Sequence, residues 1–268
     1  MWNRSVIQWS AGSLLAAVLL TGGLIRLAED RRENAGMGSR KSLQIWCAAG
    51  LKGPLDELAS QYEQARGTQV ILQYGGSGTL LASIESTKLG DVFIPADAFY
   101  ATLAREKGLG GEGIELATTQ PVLAVVKGNP RNVRGWRDLL DRPDLNVGLC
   151  HPGSAAIGMT VQSIARSRGD WESLQAATDV MKSTVSELAL DLKAGALDAA
   201  FLWDQTAASV SGLETVPCPE LSGRPAIVPA MVLSSSKSPE SALDFVRWIA
   251  SPEYGAPVFR RHHFMDAP

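Results

Sequence analysis

The sequence predicts an α/β protein, with parallel sheets as the natural product of its strand–helix–strand order, and three observations predict it. Short apolar runs alternate with amphipathic runs from residue 42 almost to the end of the chain. Glycines or prolines punctuate many of the junctions. Strand-like runs such as Val92-Phe93-Ile94 are continuously apolar, as buried strands are.

Taken in order, Leu43–Ala48 reads as a strand. A helix follows with Leu55, Leu58, Ala59 and Tyr62 at i, i+3, i+4 and i+7. Pro54 suits its first turn, where a missing N–H costs nothing, and Gly67 ends it. Val70–Gln73 is the next strand, and Leu80, Leu81 and Ile84 mark a short helix. Asp91–Pro95 is a strand, and Phe99–Lys107 a helix closed by Gly108. Pro121–Val126 reads as a strand, Trp136–Leu140 as a short helix, Asn146–Cys150 as a strand and Ala155–Arg168 as a helix. Two more helices are predicted over Trp171–Met181 and Val185–Ala194, then strands at Ala199–Trp203 and Pro225–Leu233. Helices over Pro239–Ala250 and Glu253–Arg260 close the chain.

At 268 residues the chain can hold one large domain or two lobes with cores of their own. Hydrophobic residues make up 45% and charged residues 20%, which is the balance of a globular chain. A formal net charge of −3 leaves no electrostatic footprint for nucleic acid, and few aromatics are present to stack bases. Arg4 precedes an apolar run from Ala11 to Ile25, followed by charged residues from Arg26 to Arg32. That pattern predicts export, with cleavage of a signal peptide and retention as a membrane anchor both open. Residues 26–41 read as a solvated linker. Cys47, Cys150 and Cys218 fit no metal spacing and read as small buried hydrophobes, although one disulfide plus a free thiol is possible by count.

Four segments share a chemistry. Ala48-Ala49-Gly50-Leu51-Lys52 opens the Leu55 helix, and Tyr74-Gly75-Gly76-Ser77-Gly78-Thr79 opens the next. Cys150-His151-Pro152-Gly153-Ser154-Ala155 runs from a strand into a third helix start. Ser183-Thr184-Val185, with Glu187 three residues after Thr184, reads as a capping box on a fourth. A helix N-terminus carries amides without intrahelical acceptors and the positive end of the helix dipole, so each segment can cradle an anion. One such cap alone is ordinarily structural. In an open α/β sheet, however, the loops that follow strands gather at the strands' carboxyl ends, where ligands bind.

The first two segments, together with Gly90-Asp91-Val92-Phe93-Ile94-Pro95-Ala96-Asp97 and the closing Phe259-Arg260-Arg261-His262-His263-Phe264, resemble the periplasmic molybdate/tungstate-binding proteins of ABC importers. The resemblance covers about residues 42–264 and is more specific in the first half. It implies a two-lobed, type II periplasmic-binding-protein-like fold with the ligand cleft between the lobes. Residues 42–122 and 229–268 would form one lobe and 123–228 the other, after an N-terminal signal or anchor and linker over 1–41. The strands near Pro121–Val126 and Pro225–Leu233 would be the hinge. By the same resemblance the ligand-binding positions are Gly50 and Leu51 in the first loop, Ser77 and Gly78 in the second, Ala155 and Val185 as backbone donors, and Trp203. Two positions depart from the family: Gly50 stands where it has a serine, and Trp203 where it commonly has a tyrosine.

Molybdate, tungstate and sulfate present only acceptors at neutral pH, whereas monohydrogen phosphate carries a proton and wants a buried carboxylate; Asp204, next to Trp203, is the sequence's one candidate. Lys52 could add a positive field at the first cradle, although a lysine beside a helix start is ordinarily solvated, and His151 could contact an anion when protonated, although a lone turn histidine is ordinarily a structural hydrogen-bonder. A G-x-S-x-G elbow fails because Thr79 takes its last position, and neither a P-loop nor a G-x-G-x-x-G is present. The expectation is therefore a monomeric, non-catalytic, exported receptor without a cofactor or cation site. Its ligand would be a tetrahedral oxyanion, most simply molybdate or tungstate, and its partner an ABC permease. A sulfate or phosphate receptor, a membrane-anchored sensing domain of the same fold and, more distantly, a serine hydrolase are the alternatives.

Overall fold

The computed structural model describes residues 41–268; the predicted export segment and all but the end of the linker lie outside the described residues. The first stretch comprises β1 (Ser42–Ala48), α1 (Lys52–Arg66), β2 (Gln69–Gly75), α2 (Ser77–Thr87), β3 (Val92–Ile94), α3 (Ala98–Glu106) and β4 (Ile114–Thr119), with a 3-10 turn at Ala49–Leu51. A middle stretch holds β5 (Pro121–Val126), α4 (Trp136–Asp141), β6 (Val147–Cys150), α5 (Ala156–Arg168), α6 (Trp171–Ala176) and β7 (Thr178–Lys182), then α7 (Val185–Lys193), β8 (Ala199–Trp203), α8 (Asp204–Ser209) and β9 (Leu213–Val216). The chain ends with β10 (Ala226–Val232), α9 (Pro239–Ala250), α10 (Gly255–Arg261) and β11 (Met265–Asp266).

Two sheets result. The first has the order β11-β4-β10-β3-β1-β2 and the second β7-β6-β8-β5-β9. Parallel pairing is confined to the βαβ portions, β1 with β2 and β3, and β6 with β7 and β8. The remaining pairs are antiparallel, so both sheets are mixed where the sequence predicted mostly parallel ones. The cause is the exchange of chain between the sheets. β4 ends at Thr119 and β5 begins at Pro121 in the other sheet, and β10 returns to pair antiparallel with β3 and β4. A register shift at Val228/Pro229 accommodates a proline, which has no N–H for the ladder, inside this central strand.

Local chemistry accounts for the elements. α1 buries Leu55, Leu58, Ala59 and Tyr62, and Gly67 caps it at φ 67°, the left-handed conformation that glycine adopts without a Cβ penalty. Tyr62 donates to Asp244 Oδ2 at 2.9 Å, which ties α1 to α9. The helix predicted over Trp171–Met181 is corrected to α6 followed by strand β7. Thr178 Oγ1 donates to the Leu174 carbonyl at 2.7 Å as the helix ends, and Asp179 Oδ2 accepts the Val147 N–H at 2.8 Å. β4 escapes a sequence reading because Gln120 alone separates it from β5, and α8, β9 and β11 are each too short to show a period. All three cysteines are buried free thiols. Among the described residues no helix is long and apolar enough to cross a membrane.

Candidate functional site

The strands of the two sheets deliver four helix starts to one place. A cavity of about 20 Å³, large enough for a small ion by the measure that one water needs roughly 10–15 Å³, is walled by all four. The end of β1 supplies Ala48, Ala49 and Gly50, and the β2–α2 turn supplies Gly75, Gly76 and Ser77. The second sheet contributes Ala155, Ala156 and Ile157 at α5, Thr184 and Val185 at α7, and Trp203 at the end of β8; Ala96 completes the wall. Of the seven residues expected from sequence, Gly50, Ser77, Ala155, Val185 and Trp203 come together there. Leu51 and Gly78 do not line it. Leu51 is packed into the hydrophobic core, and Gly78 donates its N–H to the Ser154 carbonyl at 2.9 Å.

Each helix start exposes donors for a local reason. Ser77 is 1% exposed, and its Oγ accepts the Ala96 N–H at 3.1 Å, which leaves the hydroxyl proton free to donate. α2 has Gly76 as its N-cap, without a side-chain cap. At α5 the Ala155 N–H is spent on the His151 carbonyl (3.1 Å), and Ala156 and Ile157 carry the first amides of a helix that no side chain caps. At α7, Thr184 Oγ1 accepts the Glu187 N–H at 3.2 Å, and Glu187 Oε2 accepts the Thr184 N–H at 3.0 Å. This box satisfies Thr184 and Glu187 and leaves the Val185 amide without an intrahelical acceptor. The first loop has no side-chain cap either.

The wall carries no charged side chain. Lys52 is exposed and paired with Asp56 at 2.6 Å. His151 is exposed, and its Nδ1 accepts the Gly153 N–H at 3.1 Å. Asp97, beside Ala96, caps α3 by accepting the Phe99 N–H at 2.7 Å; burial pushes its carboxyl above the ordinary value, a rise that this hydrogen bond opposes. Asp204 is committed to the passage between the sheets. Its Oδ1 accepts from Thr119 Oγ1 (2.5 Å), the Gln120 N–H (3.1 Å) and the Gln205 N–H (2.8 Å). A larger cavity of about 240 Å³ shares Ala49 and Gly50 with this one and is lined by Lys52, Gln205 and His262 among others, but only the smaller gathers all four helix starts.

The cavity lies between two mixed α/β sheets and has no charged side chain on its wall, and comparison with known proteins gives the family. Residues 43–265 match the model of the bacterial extracellular solute-binding proteins. The chain belongs to this family. A Haemophilus influenzae relative described as a binding protein is 30% identical to this solute-binding protein over 228 residues, which are 84% of this chain and 91% of that one. The molybdate-binding protein ModA of Mycobacterium bovis is 27% identical over 248 residues, 88% of this chain and 91% of its own. Among solved structures, the periplasmic molybdate-binding protein of Azotobacter vinelandii superposes with a TM-score of 0.70 at 21% identity, covering 84% of this chain and 99% of that one. The fold is therefore the two-lobed type II fold, with one sheet in each lobe.

The seven expected positions left out Ala48, Ala49, Gly75, Gly76, Ala96, Ala156, Ile157 and Thr184, although Ala48, Ala49, Gly75, Gly76 and Thr184 lie within the four anion-cradling segments. Apart from Thr184 and Ile157 these are glycines and alanines, which contribute backbone and carry no chemical signature of their own. The available signal was positional: Ala156 and Ile157 are the first two residues of a helix, the positions whose amides point outward.

Proposed function

We propose that this solute-binding protein captures a fully deprotonated tetrahedral oxyanion, molybdate or tungstate, outside the cytoplasm and passes it to an ABC permease without catalysis. The observation that carries this reading is the wall with donors and no carboxylate. An anion that still holds a proton needs an acceptor, and the sequence's one candidate, Asp204, has three donors of its own at the passage between the sheets. The oxyanion would accept from the hydroxyl of Ser77, the amides of Gly50, Ala156, Ile157 and Val185, and the indole N–H of Trp203. Hydrogen bonds to a charged group contribute about 1.5–3 kcal/mol each. The relatives named for molybdate support the same ligand. No histidine stands on the wall to activate Ser77 as a nucleophile.

The lobes would be Ser42–Thr119 with Ala226–Pro268, and Pro121–Val216, in place of the expected divisions at 122/123 and 228/229, because β5 pairs in the second sheet from Pro121 and β10 in the first from Ala226. Gln120 and residues 217–225 would be the crossings on which they turn. Closure would follow from differential binding, because only the closed state offers donors from both lobes.

The test is a thermal-shift panel with molybdate, tungstate, sulfate and phosphate. Ligand at a hundredfold excess over its Kd stabilises the native state by about 2.7 kcal/mol. For a domain of this size that is a rise in Tm of roughly 5–11 °C. Molybdate and tungstate are expected to give it and phosphate none. A rise with phosphate would refute the argument from the neutral wall, and a rise with sulfate alone would reassign the ligand.

A further inference from the structure

Beside the cavity the two lobes touch backbone to backbone. The Gly78 N–H donates to the Ser154 carbonyl at 2.9 Å, and the Thr79 N–H reaches the same oxygen at 3.4 Å. From α3, the Tyr100 hydroxyl donates to the Pro152 carbonyl at 3.2 Å. A Cβ placed on Gly76 would lie 2.3 Å from the Ser154 carbonyl oxygen and 2.4 Å from that of Ser183. On Gly78 it would lie 2.1 Å from the Gly153 carbonyl oxygen. Real Cβ atoms do not come within 3.0 Å of such neighbours, so any side chain there must hold the segments roughly 1 Å further apart. Neither glycine has a positive φ, so close approach is what requires them, not an unusual backbone.

One turn thus does two jobs. Ser77 presents its donor to the cavity while Gly76 and Gly78, on either side, press against the other lobe. We propose that Gly76, Gly78 and Tyr100 form the stop on which the lobes close, so that contact between the lobes, and not the ligand alone, sets the width of the cavity and hence the size of oxyanion admitted. The inference rests on the oxyanion reading of the cavity. Opening the clamp by about 1 Å stretches a 2.9 Å hydrogen bond to about 3.9 Å, beyond hydrogen-bonding range. The donors of one lobe are then lost to the ligand. Tyr100 acts differently: burial and the nearby Asp97 charge hold its phenol protonated, and it adds one inter-lobe bond that only the closed state makes.

The experiment measures molybdate affinity and stopped-flow rates in the full-length protein by tryptophan fluorescence, with Trp203 on the cavity wall as reporter. Gly78→Ala is expected to weaken molybdate binding at least a hundredfold while the anion-free melting temperature stays within about 2 °C. Tyr100→Phe is expected to raise the dissociation rate three- to tenfold at an unchanged association rate, a split that a general loss of structure would not produce. Ser77→Ala separates the two readings. Weakened binding in Ser77→Ala with native affinity in Gly78→Ala and native dissociation in Tyr100→Phe overturns the stop and leaves the site standing. Native affinity in Ser77→Ala overturns the site. If Gly78→Ala does not fold, Tyr100→Phe decides.

Discussion

Consider Ser77→Ala, which deletes one oxygen and one O–H from a residue that is 1% exposed. In the native protein the oxygen accepts the Ala96 N–H at 3.1 Å, and Ala96 is itself buried. Losing the acceptor leaves a buried amide unsatisfied, which costs about 1–3 kcal/mol. For a domain of this size each kcal/mol is about 2–4 °C in Tm, so the anion-free protein should melt roughly 4–8 °C lower for a mid-range cost. The loss of the O–H acts elsewhere. It removes a hydrogen bond to a charged ligand, about 1.5–3 kcal/mol, which corresponds to roughly 10- to 150-fold in Kd.

The two losses are read by different instruments. Scanning calorimetry without anion reports the first, and isothermal titration with molybdate reports the second. Ser167→Ala is the control: its hydroxyl donates to the Ile164 carbonyl at 2.7 Å late in α5, and it does not line the cavity, so molybdate affinity should not change. A lower melting temperature with unchanged molybdate affinity in Ser77→Ala would refute the reasoning, because the hydroxyl would then serve Ala96 alone.

Two further predictions come from ionisable groups outside the site. Burial, followed by the charges of Glu187 and Glu220 respectively, pushes the Cys150 and Cys218 thiols up to about 12, and burial holds Cys47 well above its ordinary value. No thiol should react with Ellman's reagent in the native protein at pH 8, and all three should react in denaturant; a fast native reaction would contradict the burial. Burial pushes the Glu57 carboxyl up, but hydrogen bonds from Arg261 and then His262 outweigh it and hold the group below its ordinary value of 4.5. A depressed carboxylate stabilises the fold above its unfolded pKa and loses that contribution as pH falls through its folded one. Melting temperature should therefore fall less steeply below about pH 4.5 in Glu57→Gln than in the wild type, and parallel curves would contradict the assignment.

What the sequence showed and what it hid follow from the same physics. β1, α1 and α5 were legible because each buries a continuous or periodic apolar set and carries its own punctuation, such as Pro54, Gly67 and Gly169. β7 was not, because Thr178–Lys182 is held by a neighbouring strand and by Asp179, which no local pattern reveals. Among the residues that line the cavity, Ser77, Gly50 and Val185 were expected from the family resemblance, and each also lies in a segment that opens a helix. Ala155 lines the cavity as expected, but its amide donates to the His151 carbonyl, a partner set by how the turn closes. Gly78 was expected among the ligand-binding positions; it does not line the cavity, and its N–H donates to Ser154 in the loop between β6 and α5.

The absence of charge from the wall is the feature that most constrains the ligand. α1, α2, α5 and α7 each run nine residues or more, and a helix N-terminus carries roughly half a positive charge. The starts of α2, α5 and α7 line the cavity, and such termini favour an anion without a lysine or arginine on the wall. A cation on a flexible stem would attract any anion, whereas amides held by helices accept only an ion whose oxygens fall where the donors are fixed. The same economy explains Asp204. A carboxylate so close to the site would repel a dianion if it faced the wall. Held by Thr119, Gln120 and Gln205, it serves the passage between the sheets, next to the site whose width depends on how the lobes meet.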